Sequence, residues 1–273
     1  KVDWEVKVDD PAVLMQTVGL TPLEQPLTAK ITTTGKASMR MNDVMNLDVE
    51  MDLSVKDGRF GDAPLPTVQM QVTATKGTAA LKSCNILWDA RNHILLAGRA
   101  KLTAPWSFVA DADIALPELK KLNELLMAFK APPVQSGSLA AKLDVTGDVS
   151  PWRCEGRAGL QAKNVQVKGM KEAANVDLLT TFAGKTAELA KLEVVLGPWR
   201  LLTSGTVTDK VENLRELSFW QKGRQLMSGH MITPFNVTQA DVVDGMPLDV
   251  VLNAKDLPLG EIAAAAVVKG LPS

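Results

Sequence analysis

The segment MNLDVEMDLSV, residues 45–55, alternates apolar and polar side chains without interruption. An extended strand points successive side chains to opposite faces, so this segment has one apolar face and one largely acidic face. The apolar face carries Met45, Leu47, Val49, Met51, Leu53 and Val55. The folded protein must cover that face, either with a second layer of its own chain or with a ligand.

Alternation with a period of two residues recurs along nearly the whole chain. Further alternating segments lie at 4–8, 27–31, 68–74, 94–104, 106–116, 139–145, 174–178, 192–196 and 248–254. Short turn signals separate them, at 57–58, 76–77, 146–148, 197–198 and 222–223. This order predicts a mainly β protein, built as an antiparallel meander of long strands.

Apolar residues at helical spacing occur in three short segments, which predict helices near 11–18, 118–130 and 259–268. The clearest, PELKKLNELLMAFK, begins with a proline suited to the first helical turn. Each helix follows a strand, so the chain repeats a module of one strand, a short helix and a run of strands. We expect one repeat unit at 1–112, a second at 113–255 and the start of a third at 256–273, within a fragment of a longer repeat protein.

Composition restricts the functional classes. The chain has 30 basic and 31 acidic side chains and a net charge of -1, so no global field attracts nucleic acid. Hydrophobic residues make up 46% and aromatics only 4%, with no tyrosine and 11 methionines, so the apolar surface is aliphatic and adaptable. Cys84 and Cys154 match no zinc spacing; one disulfide or two buried thiols both fit, and we favour the thiols.

Motifs for catalysis or metal binding are weak. His93 and His230 have no second ligand at metal-binding spacing. The segment AGKTAE ends like a phosphate-binding loop, but Leu179 stands where the first glycine is needed, so we interpret it as a turn between strands. Asp111 and Asp113 share the polar face of a strand, which favours solvent exposure over an acid–base pair. We therefore expect no enzymatic activity, no metal and no cofactor.

Tryptophans and methionines each allow two interpretations. Five tryptophans stand at strand starts or beside a proline or turn, where an indole commonly closes the end of a sheet, and this packing role is favoured over carbohydrate stacking: Trp4, Trp106, Trp152, Trp199 and Trp220. Trp88 follows an apolar strand and is a candidate for the floor of the apolar face. The methionines at 39, 41, 45, 51 and 70 form a stripe that fits either core packing or lipid contact.

Residues 137–209 carry a longer pattern. A G-x-L strand and a hairpin of the form hxGxhxxPxxxG, where h is hydrophobic, lead into an amphipathic strand, a glycine turn and an hxxxGxh strand. The fixed positions are Gly147, Pro151, Gly156, Gly197 and Gly205. In this order, and with the flanking linkers ADIALPELKKL and NAKDLPLGEIA, the segment resembles repeats of the TamB and AsmA-like superfamily.

The resemblance implies a long, curved antiparallel β-sheet, a half-pipe or β-taco, with an apolar concave face and a few short helices between repeats. It implies non-enzymatic transport of lipids, with phospholipids expected, along a hydrophobic groove between the inner and outer membranes of a diderm bacterium. The protein would be periplasmic, anchored to the inner membrane outside this fragment, and would serve outer-membrane biogenesis. Its partners would be phospholipid acyl chains, and for the full-length protein an outer-membrane protein and an inner-membrane anchor.

The alternating faces provide the candidate groove residues. They are Met39, Met41, Met45, Leu47, Val49, Met51, Leu53, Val55, Val68, Met70, Val72, Leu143, Val145, Val176, Leu178, Leu192 and Val194. Two other functions fit the same pattern. One is an assembly factor that offers an open sheet edge to outer-membrane β-strands. The other is a structural or adhesive repeat protein whose apolar face is closed by a second sheet.

Overall fold

The computed structural model of the chain describes residues 1–9, 11, 26–39, 47–208, 211–234 and 249–255. The protein is mainly β, as predicted, and its strands follow one another in chain order through an antiparallel sheet. The strands are β1 (Val2–Val8), β2 (Leu27–Met39), β3 (Leu47–Phe60), β4 (Ala63–Pro64), β5 (Thr67–Thr75), β6 (Thr78–Leu87), β7 (His93–Lys101), β8 (Ser107–Leu116), β9 (Val134–Val149), β10 (Trp152–Val167), β11 (Ala174–Gly184), β12 (Thr186–Leu196), β13 (Trp199–Val207), β14 (Val211–Gln221), β15 (Arg224–Pro234) and β16 (Asp249–Ala254). The two-residue β4 pairs with β3, off the main order.

The chain divides into two compact units. Unit 1 comprises Lys1–Pro133 and Leu139–Arg153, and unit 2 comprises Val134–Ser138 and Cys154–Ser273. In unit 1 the strand order is β1-β2-β3-β5-β6-β7-β8-β9, and in unit 2 it runs from β10 to β16 in sequence. Strands β9 and β10 each supply residues to both units. The repeat boundaries proposed from the sequence and the curvature of the sheet remain predictions.

Tight turns join most neighbouring strands. At the hairpin between β5 and β6, Lys76 and Gly77 both have positive φ, at 47° and 69°, and Lys222 and Gly223 repeat this between β14 and β15, at 48° and 80°. Two consecutive left-handed residues match the right-handed twist of the flanking strands. The turns predicted at both Lys-Gly pairs and at 197–198 are confirmed.

Two other predicted turns are wrong. Asp57 and Gly58 lie inside β3, where the register with β2 shifts between Thr28 and Lys30, so the pair forms a bulge. Gly147 lies inside β9, opposite Phe108 of β8, and the chain reverses only at Ser150 and Pro151. In both places the pairing with the neighbouring strand continues past a local turn signal, because a bulge or a strand can accommodate the glycine.

The helix predicted near 118–130 is present in unit 1. A 3-10 turn at Leu119–Leu122 leads into helix α1, Asn123–Ala128. Leu119 is buried, α1 contacts β4, and the ring of Phe129 stacks on Phe60 of β3 with centroids 5.2 Å apart. The helical segment therefore packs at one end of the unit 1 strands. Apart from Pro11, the helices predicted at 11–18 and 259–268 lie outside the described residues.

A polar cluster fastens this helical segment to the loop between β6 and β7. Asn92 is 1% exposed; its Nδ2 donates to Oδ2 of Asp89 at 2.9 Å, and its Oδ1 accepts from the backbone N–H of Glu118 at 3.1 Å. Lys121 adds an ion pair, with Nζ 2.5 Å from the same carboxylate. Because a buried amide without partners is costly, these bonds define one position for the segment.

Acid should weaken this cluster. The Lys121 ammonium, followed by the backbone amides of Asn92 and Arg91, holds the pKa of Asp89 well below its usual range. A carboxyl group whose pKa is lowered on folding stabilises the fold above its unfolded pKa of about 3.9 and loses that contribution as the pH falls toward the folded pKa. We expect the melting temperature to fall between about pH 5 and pH 2.

Asp89→Asn provides the control for this pH dependence. Its melting temperature should already be lower at neutral pH and should decline less steeply in acid, because the ionisable group is gone. Circular dichroism melts over the same pH series measure both curves. Parallel curves for the two proteins would show that Asp89 does not link pH to stability.

Candidate functional site

The apolar side of β3 is the starting point for a candidate ligand-binding face. Val49, Met51, Leu53 and Val55 share one face, and Glu50 and its alternate neighbours lie on the other. The four apolar side chains are each half-buried, whereas the acidic side chains of the opposite face are exposed. From Leu47 onward, the apolar and polar faces predicted for this segment are therefore the faces that it has in the sheet.

Strand register extends this apolar face across unit 1. Residues paired across strands share a face, so the row through Met51 can be followed from β2 to β9: Gly35, Met51, Val72, Leu81, Gly98, Ala110 and Val145. The row through Leu53 contains Thr33, Met70, Cys84, Leu96, Ala112 and Leu143. Parallel rows run through Val49 and Val55. We call these four rows the apolar face of unit 1.

A bulge in β6 is needed for this continuity. Leu81 pairs with Gly98 and Cys84 with Leu96, so three steps along β6 match two steps along β7. Without the additional residue, Leu81 and Cys84 would lie on opposite faces, because side chains alternate strictly along a regular strand. The bulge therefore keeps both residues in the apolar face.

The apolar face has no second protein layer within the part of the chain that the structure describes. The strands of unit 1 make their extensive contacts with sheet neighbours, and α1 contacts β4 at the end of the sheet. Four rows on seven strands span on the order of 1,000 Å² of sheet, given about 4.8 Å between strands and about 6.8 Å between alternate residues. Their side chains are buried or half-buried, so part of this area is accessible to solvent. Soluble monomers rarely expose an apolar patch beyond a few hundred Å², and larger patches mark binding surfaces.

The opposite face of unit 1 is largely polar and charged. Ion pairs join exposed side chains of neighbouring strands, with Lys30 2.8 Å from Asp57 and Lys142 3.3 Å from Asp113. Thr75 donates a 2.5 Å hydrogen bond to Asp48. Solvent-exposed pairs of this kind contribute little to stability, so this face needs no further partner.

Unit 2 has a corresponding set of apolar rows. One row contains Leu160, Leu178, Leu192, Thr203, Leu217, Gly229 and Leu252, and the next contains Ala162, Val176, Val194, Leu201, Phe219, Met227 and Ala254. Trp199 stacks on Phe219 with ring centroids 5.3 Å apart. The four unit 2 candidates from the sequence therefore lie together on one face of that unit.

The candidate groove residues outside unit 2 fall into three groups. Those from Val49 to Val72, together with Leu143 and Val145, share the apolar face of unit 1. Met39 pairs with Leu47 at the start of β3 and is half exposed. Met41 and Met45 lie outside the described residues.

The candidate groove residues chosen from the sequence leave out the small residues of the face. Gly35, Gly98, Ala110 and Ala112 lie in the same rows as the large aliphatic side chains, and these positions have little side-chain bulk. Gly98, Ala110 and Ala112 stand in the alternating segments predicted at 94–104 and 106–116, but the candidate residues were chosen among larger aliphatic side chains. Trp88, proposed for the floor of the face, follows β6 and lies in the loop to β7.

The polar groups singled out in the sequence do not assemble a reactive site. Asp111 and Asp113 lie on the polar face of β8, and Asp113 pairs with a lysine. His230 lies beside Asp249, with Nε2 3.6 Å from the carboxylate oxygen. AGKTAE forms the turn between β11 and β12, as predicted. Among the described residues, no group of three or more His, Cys, Asp or Glu side chains has metal-binding geometry.

Cys84 and Cys154 are both buried free thiols, the alternative favoured from the sequence. Burial raises the pKa of the Cys154 thiol, which lowers its reactivity at neutral pH. Within the described part of the chain, no helix combines the length and the apolar character needed to cross a membrane.

Comparison with known proteins identifies no relative of this chain. No family model, curated protein or solved structure matches the chain. The resemblance of residues 137–209 to TamB and AsmA-like repeats therefore remains a prediction from the sequence.

Proposed function

We propose that the protein binds lipid acyl chains on the apolar faces of its sheet and conducts lipids along them without chemical conversion. The observation that carries this proposal is the continuity of the apolar face of unit 1. Apolar or small side chains from seven strands share it, and no described element forms a second layer over it. Removing a hydrocarbon tail from water onto such a face gains about 0.8 kcal/mol per methylene group.

The dimensions of the apolar face suit a hydrocarbon tail. One membrane leaflet is about 15 Å of hydrocarbon, half the thickness of a bilayer core. The four apolar residues from Val49 to Val55 extend over about 20 Å of one strand, and the seven strands extend over about 30 Å. The glycines beside Met51 and Leu81 have no side chain, although the ring of Trp4 lies over Gly35. Methionine adapts to irregular aliphatic shapes.

The wider setting of this proposal comes from the resemblance to TamB and AsmA-like repeats. We propose that the cargo is phospholipid, that the protein acts in the periplasm of a diderm bacterium, and that the path joins its inner and outer membranes. Because the apolar face is a surface and not a pocket, it would accept tails of different length and recognise the hydrocarbon itself.

Lipid analysis of the purified chain tests the proposal. We expect the native protein to carry phospholipid that is detected by mass spectrometry after extraction, and the delipidated protein to take up phospholipid again from a detergent-free dispersion. Protein without lipid in both states would contradict lipid binding. It would favour the structural or adhesive alternative, in which protein surfaces cover the apolar faces.

A further inference from the structure

Three successive turns form one connected platform at the end of unit 1 opposite α1. The backbone N–H of Leu102, in the loop between β7 and β8, donates to the carbonyl of Gly77 in the β5–β6 turn at 2.7 Å. The N–H groups of Val149 and Ser150, in the β9–β10 turn, both donate to the carbonyl of Pro105 at 3.2 Å. These bonds hold residues that are far apart in sequence in one surface.

Large apolar side chains project from this platform. Leu102 is 42% exposed, Trp106 45%, Val149 53% and Trp152 54%. We call these four residues the aromatic end. Trp152 is held in place because its ring stacks on Phe108 with centroids 6.0 Å apart. Trp106 has a φ of 53°, a conformation that is costly for a bulky residue and that clusters at functional sites.

Basic side chains flank the aromatic end. Lys76 and Lys101 are exposed beside it, and neither forms an ion pair among the described residues. Arg99 and Lys101 also line a cavity of about 300 Å³ that contains Phe108. The nearby Asp148 carboxylate is 2.6 Å from Arg153, which neutralises it. The surroundings of the aromatic end are therefore net positive.

The opposite end of the same strands is built differently. There, Leu116 and Leu119 are buried, and Phe129 is stacked on Phe60. A helical segment thus packs at this end of unit 1, although Met127 and Phe129 on it are themselves 54% and 66% exposed. The aromatic end has no corresponding helical segment within the described residues, although its turns are equally well connected by hydrogen bonds.

We propose that the aromatic end docks on an anionic phospholipid surface. Tryptophan is favoured at the boundary between hydrocarbon and headgroups, where its ring is apolar and its N–H can donate a hydrogen bond. Adjacent lysines are attracted to anionic lipid, and Arg99 and Lys101 can bind a phosphate group from the side of the cavity. The aromatic end inserts its four apolar side chains while the basic residues remain at headgroup level.

A protein partner fits this surface less well. A stable protein interface buries about 800 Å² on each partner, whereas four side chains that are already half-buried offer much less. A membrane imposes no such minimum area, because apolar insertion and charge attraction add together. The proposal concerns a different surface from the apolar face and does not depend on lipid lying there.

Vesicle binding by the full chain tests the proposal. The probes are vesicles of phosphatidylcholine alone and vesicles of equal parts phosphatidylcholine and phosphatidylglycerol, measured by sedimentation and by tryptophan fluorescence. We expect binding to the mixed vesicles, a blue shift of the emission, and a loss of binding at high salt. Absence of binding, or equal binding to both vesicle types, would overturn the assignment to an anionic lipid surface.

Two variants test the residues. Trp106→Ser with Trp152→Ser should weaken binding to the mixed vesicles about tenfold or more, because the inserted apolar area is lost. Lys76→Glu with Lys101→Glu should weaken it by more than about twentyfold, given about fivefold for each lysine at such a surface. Both lysines are exposed, so we expect their variant to fold. It therefore tests the proposal even if the tryptophan variant does not fold.

Matched controls are available elsewhere in the chain. Leu95→Ser with Leu179→Ser removes exposed apolar side chains away from the platform, and Lys56→Glu with Lys120→Glu reverses two exposed lysines outside it. Both should bind mixed vesicles as the unmodified chain does. Equal losses of vesicle binding in the control and platform variants would overturn the proposal. So would the finding that the unmodified chain is a dimer and the tryptophan variant a monomer, because the aromatic end would then be a protein interface. A variant with charges on the apolar face should still bind vesicles, which separates this proposal from the one on acyl chains.

Discussion

Val49→Asp with Met51→Asp should remove most lipid binding while the fold survives. Both side chains belong to the apolar face of unit 1, in neighbouring rows, and both are half-buried. Two carboxylates there place unpaired charge in the path of a hydrocarbon tail, which is costly for the tail and for the charge. We expect lipid bound per protein to fall about tenfold or more, measured by mass spectrometry of extracts.

The melting temperature of the same variant distinguishes an open face from a sealed one. On an open face the new carboxylates stay hydrated, and the cost is the lower strand propensity of aspartate, about 1 kcal/mol or less at each position, which corresponds to a few degrees. Under a second layer of protein the same pair would unfold the unit. A large fall in the melting temperature would therefore contradict the open face. Unchanged lipid binding would show that acyl chains bind another surface.

Thr32→Asp with Gln69→Asp is the matched control. Both residues lie on the polar face, on either side of Ser54 of β3, so the variant adds the same charge to the two strands that pair with β3. Neither position directly opposes an acidic residue in the pairing with β3. Lipid load and melting temperature should both remain close to those of the unmodified chain, because the additions are solvated and lie away from the apolar face.

Asn92→Ala should lower the stability of unit 1 by about 3 kcal/mol, the largest effect expected from a single substitution here. The change leaves the N–H of Glu118 without its acceptor and removes a donor from the Asp89 carboxylate, in a site that is almost fully buried. Urea unfolding measures the loss. Hydrogen exchange should also accelerate at the amides of α1, because the link to the β6–β7 loop is gone.

Asn85→Ala provides the comparison for this substitution. Asn85 lies on the polar face of β6 and is half exposed, so its amide can bond to water in the variant and in the unmodified chain. We expect a change within about 0.5 kcal/mol, as for ordinary surface positions. If both alanine variants lost the same stability, the polar cluster would not be what fastens the helical segment.

The strands and the one described helical segment could be predicted because their signals are local. Alternation over 45–55 identifies which side chains of β3 share a face without any knowledge of the neighbouring strands, and helical spacing places the segment after Pro117. The Lys-Gly turns were predictable for the same reason, since glycine readily adopts the left-handed conformation that a tight hairpin turn requires. Glycine at 147 shows the limit: its place inside β9 depends on pairing with β8.

The sequence by itself determined that unit 1 has strands with one apolar and one polar face, because the period of two is a property of each strand alone. Tertiary structure decided which strands join those faces into one surface. The bulge in β6 keeps Leu81 and Cys84 in phase, and only pairing with β7 makes that shift visible. Tertiary structure likewise decided that Leu102 and Trp106 lie beside Val149. Backbone hydrogen bonds between separate turns bring these residues together, and such bonds leave no trace in local sequence patterns.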